Sequence, residues 1–398
     1  LDYQRWIDSV GGIDHFTQGY NEFGVHVKPD GSVYCKEWAP GAKELYLRGD
    51  FNGWKEKEYP FKRLEYGKWE LTIPPTEDGK PRIEHLSKIK LLVVGPDSRQ
   101  YDRLSPWASY VKNFGDNIIY DHVFYNPPAL LVVGPDSRQY DRLSPWASYV
   151  KNFGDNIIYD HVFYNPPARY QMKHPHPPKP KALRIYECHV GIATEELRVG
   201  TYLEFKDNIL PRIVDLGNGK SFGFSLYLFS RYGTPDELRE LIDEAHRLGL
   251  TVLLDIIHSH ASKNTADGLN QFDGTNACYF HDHGRGVHEL WDSRLFNYTE
   301  LEVLRFLLSN LRWWIDEYGF DGFRFDGVMS MLYHHHGLNT DFSGSYGDYF
   351  GLAVDTESLT YLMLANDFLH KKYPFVVTIA ERGVKENANK FIVSGGDS

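Results

Sequence analysis

Cysteine is scarce in this chain: three in 398 residues, Cys35, Cys188 and Cys278, widely spaced and odd in number. That argues against a disulfide framework and for a reducing compartment, so a cytoplasmic location is expected. No run of 18 or more apolar residues occurs, which excludes a membrane-spanning helix. No secretory pattern opens the chain, and it begins on Leu1 rather than Met, as a fragment or processed product would. Cations are outnumbered, 43 Lys and Arg against 54 Asp and Glu, for a net charge of −11. Such a balance disfavours nucleic acid and anionic membrane as partners. The glycines of Gly284-Arg285-Gly286 lack the pattern of a phosphate loop. His334-His335-His336 has no Cys or acid at ligand spacing, and consecutive residues point in different directions. Neither a metal nor any other cofactor is expected.

What is present is ample apolar material, 42% of the chain, enough for more than one core. Aromatics reach 15%, with 9 Trp and 27 Tyr. Rings in that number suit a ligand with apolar faces and many hydroxyls, and serve equally as ordinary core. Three zones are predicted. Residues 11–168 open with short alternating runs such as Ser32–Trp38 and Leu45–Asp50, the pattern of a small all-β sandwich. Within them residues 91–129 recur identically as 130–168. One copy alone fits a given slot, so the other is expected to be extruded or to displace its twin. Residues 169–182 form a Pro-rich linker. From 183 to 398 strands alternate with helices, which predicts a parallel α/β domain. Its units are strands at 183–190, 251–257, 320–326 and 375–380. Helices are predicted from the capping box Thr234-Pro235-Asp236-Glu237 to Gly249, over 301–318 and over 356–372.

The segment Asp321–Val328 carries the most chemistry. Period-two alternation turns Phe323 and Phe325 one way and Arg324 and Asp326 the other. A buried charged pair is costly unless it has a task, and the Arg is expected to keep Asp326 ionised. Asp255, Asp326 and Glu381 each close a strand. Right-handed βαβ crossovers bring successive strand ends to one face, so Asp326 and Glu381 are expected to face each other. Two carboxyls about 5 to 5.5 Å apart across a glycosidic bond make a retaining pair. Asp326 is then the nucleophile and Glu381 the acid/base, with His260 placed to donate to a sugar hydroxyl. Taken singly, each acid reads as a cap or an ion pair. Three on three strand ends favour chemistry.

The segments Asp255–His260, Gly322–Asp326 and Ile379–Glu381 resemble three conserved regions of the α-amylase superfamily of glycosidases and transglycosidases. Leu183–Glu187, His258–Ser262, Trp291–Phe296, Tyr333–Gly337 and Tyr361–Asn366 are similar to the eukaryotic glycogen (1,4-α-glucan) branching enzymes in particular. The resemblance implies a (β/α)8 TIM-type barrel, here incomplete, behind a β-sandwich glucan-binding module. It implies transfer of an α-1,4-glucan segment to a 6-hydroxyl. Asp326 takes the nucleophile role and Glu381 the proton-donor role, with Arg324, Asp255 and His260 as associated site residues. In the module, Trp38, Pro40, Trp54, Tyr66 and Lys68 match glucan-contacting segments. The implied partner is glycogen or another α-1,4-glucan, and a monomer is favoured.

Three departures from the family pattern predict a weak or inactive chain of poor stability. After Gly217 the segment that carries the family's second barrel strand is mostly absent. Arg382 follows Glu381 where the family has Asp. The later strands, with a third catalytic Asp, are missing. The alternatives are an α-glucan hydrolase of amylase or debranching type, and a non-catalytic glucan-binding protein.

Overall fold

The computed structural model describes residues 2–85, 87–107, 111–113, 159–162, 169–180, 183–217, 222–227, 232–265, 268–338, 340, 345–382 and 390–393. The alternating runs of the first zone form two antiparallel sheets. One joins β1 (Gly24–Val27), β2 (Val33–Trp38), β5 (Lys68–Ile73) and β4 (Lys62–Arg63) in that order. The other joins β3 (Glu44–Gly49), β6 (Lys88–Val94), β9 (Tyr159–Val162) and β8 (Val111–Asn113), with β7 (Gln100–Arg103) also on β6. On β3 the alternation is clean: Leu45 and Leu47 are buried, while Glu44, Tyr46 and Arg48 are half-exposed.

The duplication is resolved by sharing. The first copy supplies most of β6, together with β7 and β8; the second supplies β9, whose residues repeat the sequence of 120–123. β9 pairs antiparallel with both β8 and β6. Each of these strand positions is filled by one copy, β8 by the first and β9 by the second. Identical strands are interchangeable in the sheet, and the cost of closing a longer connection grows only logarithmically with its length. The remainder of both copies lies outside the described residues.

The third zone forms one sheet in the order β10 (Arg184–His189), β11 (Phe222–Tyr227), β12 (Thr251–Ile256), β16 (Gly322–Phe325), β17 (Val377–Arg382) and β18 (Lys390–Val393). The first five run parallel, and β18 returns antiparallel on β17. The predicted helices appear at Pro235–Arg247, Leu301–Tyr318 and Thr356–Lys372. The first starts on its capping box: Thr234 Oγ1 accepts from the Glu237 amide at 3.2 Å, and the Glu237 carboxylate accepts from the Thr234 amide at 2.6 Å. Sequence left the second stave mostly empty, yet Phe222–Tyr227 occupies it between β10 and β12. A sheet does not tolerate a vacant central position, because both neighbours would lose their ladder hydrogen bonds. The result is an incomplete (β/α)8 barrel behind a β-sandwich. Three further short strands, β13 (His260–Ser262), β14 (Val287–His288) and β15 (Ser293–Leu295), form a small sheet in the excursion after β12.

Strand alternation divides the barrel apolar residues into two sets. Val252, Leu254, Ile256, Phe323 and Phe325 join the large core that is continuous with the helices and the sandwich. Leu253, Val377 and Ile379 form a separate cluster with Leu183 and Ile185, the inner face. The sandwich is tied to the barrel at several points. Gly41 donates to Asp273 at 2.7 Å, and Gly19, in the short helix Gly19–Glu22 that precedes β1, donates to Ser309 at 3.0 Å. The fully buried Arg103 donates to the carbonyls of Gln271 and Phe272, and burial pulls its guanidinium down to about 10. The Pro-rich segment lies against the barrel. Lys173 and His174 donate their amides to Asp243, and His176 meets Asp321 at 2.7 Å while stacking on Phe375.

Candidate active site

Residues on the inner face of a strand recur every second position, so the set that begins with Leu253 continues to Asp255, and the set with Val377 and Ile379 continues to Glu381. Parallel register does the rest. Asp255 lies opposite Arg324, and Phe325 opposite Ala380, which leaves Asp326 and Glu381 level at the carboxyl ends of their strands. The Asp326 amide still donates to Ile256 at 2.9 Å, so the residue is held at the end of the ladder.

Arg324 is the hub. Its Nη1 lies 3.2 Å from Asp255 and its Nη2 2.9 Å from Glu381. The sequence expectation put this cation at the service of Asp326, but the ion pairs run sideways to the two flanking strands. Adjacent strands are about 4.8 Å apart, whereas residues i and i+2 on one strand are nearly 7 Å apart. A long side chain therefore reaches across more readily than along. Asp255 and Arg324 are buried; Asp326 and Glu381 are half-exposed.

Glu381 is pushed up to about 8, first by burial, then by a hydrogen bond with the Asp326 carboxyl and by that group's charge; Arg324 pulls the other way. A hydrogen bond between two carboxyls requires one proton, and both burial and the charge of Asp326 favour the protonated form of Glu381. His260 is half-buried beside this pair. Its Nδ1 is 2.8 Å from the Ser259 hydroxyl, and burial pushes the ring down to about 4 against the pull of Asp326. It is therefore a neutral imidazole at pH 7. Asp255, Arg324, Asp326, Glu381 and His260 thus stand together at the strand ends.

The five module residues do not share that site. Trp38 is 5% exposed, its indole edge against Tyr279 of the barrel, and its Nε1 donates to the Tyr66 carbonyl. Lys68 holds Glu302 of the barrel at 3.0 Å. Both are engaged in the contact between sandwich and barrel, Trp38 buried and Lys68 half-buried. Apolar area and a charge left without a partner are both costly at such a seam. Pro40 is half-buried against Gly67. Tyr66 is 84% exposed with φ of 58°, and Trp54 is half-exposed with φ of 62°. Left-handed backbone at a bulky residue is strained.

Two residues near the carboxyls went unremarked at the level of single residues: Trp291, 43% exposed, and His288, on which it stacks at 4.0 Å and 10°. Spacing gave no signal for them, since they come from an irregular excursion. The triple histidine is spent on local contacts: His334 at 3.4 Å from Asp355, His335 stacked on Tyr333, and His336 against the Ser330 carbonyl.

Comparison with known proteins agrees with this layout. Residues 22–108 match the model of carbohydrate-binding module 48, the isoamylase N-terminal domain. The chain is 49% identical over 391 residues to the 1,4-alpha-glucan-branching enzyme of Felis catus, covering 94% of this chain and 50% of that one. It is 50% identical over 400 residues to that of Equus caballus, covering 95% and 52%. The fungal enzyme of Rhizophagus irregularis is 46% identical, at 95% and 53% coverage. The chain thus spans about half the length of the curated relatives it matches. Among solved structures, the group B Streptococcus pullulanase SAP superposes with a TM-score of 0.60 at 16% identity, covering 92% of this chain and 47% of that one. The catalytic module of the pneumococcal SpuA superposes at 0.59 and 16%, covering 94% and 53%; at such identities the likeness is one of fold. On sequence, module and fold together, the chain is a relative of the 1,4-α-glucan-branching enzymes within the α-amylase superfamily.

Proposed function

We propose that this chain carries the glycosyl-transfer centre of a 1,4-α-glucan branching enzyme, with Asp326 as nucleophile and Glu381 as acid/base. The observation that carries the reading is the convergence of the two carboxyls at the level ends of adjacent strands, with Arg324 between Asp255 and Glu381 and with burial and Asp326 both pushing Glu381 toward its protonated form. Glu381 protonates the oxygen of the α-1,4 bond as Asp326 attacks the anomeric carbon, giving a glycosyl ester and a shortened chain. Glu381, now a carboxylate, takes the proton of an incoming 6-hydroxyl, whose oxygen displaces Asp326. Two displacements keep the α configuration. For a sugar to fit, the pair must part to about 5 to 5.5 Å. Arg324 and Asp255 hold Glu381 and the strand ends in place, and His260 donates a hydrogen bond to a hydroxyl of the reacting ring. Tyr66 and Trp54 offer rings to a distant part of the α-glucan partner.

Trapping tests the centre in this chain. A 5-fluoro-α-glucosyl fluoride leaves an adduct that mass spectrometry maps to the peptide containing Asp326, and Asp326→Asn abolishes it. Incubation with linear amylose separates the reactions: new α-1,6 linkages by proton NMR support transfer. Reducing ends that rise without them overturn it in favour of hydrolysis.

A further inference from the structure

The excursion after β12 brings an exposed indole to the edge of the carboxyl pair, and nothing described so far uses it. Trp291 stacks on His288, a ring with no exposed surface, and has His260 beside it at 4.7 Å. Its far corner lies 3.5 Å from where a Cβ on Gly327 would sit, directly after Asp326 in the chain. The turn is fastened on both flanks: the Trp291 amide donates to His288 Nδ1 at 3.2 Å, and Asp292 pairs with Lys263 at 2.5 Å. Asp292 itself has φ of 49°. A non-glycine residue in that region is strained, and the strain persists only where surroundings impose it. The indole is thus clamped in place and left 43% exposed. Burial also keeps His288 and His260 uncharged at neutral pH, each pushed down to about 4. A polarised cation beneath the ring is therefore absent, and the exposed surface is apolar.

We infer that Trp291 is a sugar-stacking platform that seats the glucose unit next to the bond broken at Asp326. The C–H face of a glucopyranose is apolar while its rim carries hydroxyls, which is the complement of an exposed indole bordered by imidazoles. A rigid, pre-stacked ring loses little entropy when a sugar lands on it. The inference rests on the glucan reading above.

The test uses the full chain with Trp54 and Tyr66 changed to Ala, so that the module rings do not mask the barrel. With 5-fluorotryptophan incorporated, the Trp291 resonance is assigned by its absence in Trp291→Phe. Maltoheptaose titration shifts that resonance, and calorimetry shows binding weakened about tenfold in Trp291→Ala, while Trp291→Phe stays within about threefold. Should Trp291→Ala fold poorly, the fluorine shift in the chain that keeps Trp291 still decides. A stationary Trp291 resonance while calorimetry registers binding overturns the platform and leaves the glucan reading standing. No binding by either readout sinks both.

Discussion

Replacing Asp326 with Asn removes a charge from beside Glu381 and keeps the shape. In the unsubstituted chain Glu381 is pushed up to about 8 from an ordinary 4.5, with burial as the largest cause and Asp326 next. A unit charge roughly 4 Å away at an effective dielectric of ~20 is worth ~4 kcal/mol, or ~3 pKa units. Glu381 keeps 29% of its side chain in solvent, so screening reduces this. A fall of about one to two units is expected. The burial contribution stays, so the midpoint settles above 4.5. Carbon-detected NMR of 13C-labelled glutamate side chains reads the midpoint directly. Arg324→Met moves it the opposite way, because the guanidinium favours the carboxylate. An Asp326→Asn midpoint that stays near 8 would refute the proton-sharing contact and with it the assignment of acid and nucleophile.

Stability is expected to peak near pH 6.5. Glu37 and Glu381 are both raised to about 8, so the folded chain holds their protons more tightly between 4.5 and 8 and loses stability as pH rises through that window. His258, His260 and His288 are lowered to about 4, so the unfolded chain binds more protons between 4 and 6.5 and stability falls on acidification. Urea midpoints measured from pH 5 to 8.5 check this; a midpoint still climbing at pH 8 contradicts it. Asp321→Ala removes the acceptor for the Val252 amide at 2.7 Å and for His246 and His176. It should cost about 3 kcal/mol in urea unfolding, and a loss under about 0.5 kcal/mol would show that the knot contributes little. Deleting 114–152 joins Asn113 to Phe153, restores a single-copy sequence and shortens the β8–β9 connection to the length of 114–119. That is about three halvings of loop length at ~0.6 kcal/mol each, so a gain of about 2 kcal/mol is expected. Destabilisation would mean that the deleted residues pack.

Much of the barrel was legible because its signals are local. A capping box announces the helix at 235, and a near-continuous apolar run announces β12. β11 was not legible, because what fills a stave depends on the two strands that demand a neighbour. The sharing of one sheet by two identical copies was equally hidden: sequence sees two equal candidates for each position, and only pairing decides between them.

Residue identity and spacing alone determined that three acids and an arginine close successive strands, since a period of two and a right-handed crossover leave little choice. Tertiary structure alone decided how their charges are shared. Arg324 reaches its neighbours on adjacent strands, Trp38 is buried and Lys68 is ion-paired at the seam between domains, and Trp291 arrives from a distant excursion. Those outcomes depend on which side chains meet through space, and distances between strands are set by packing rather than by position along the chain.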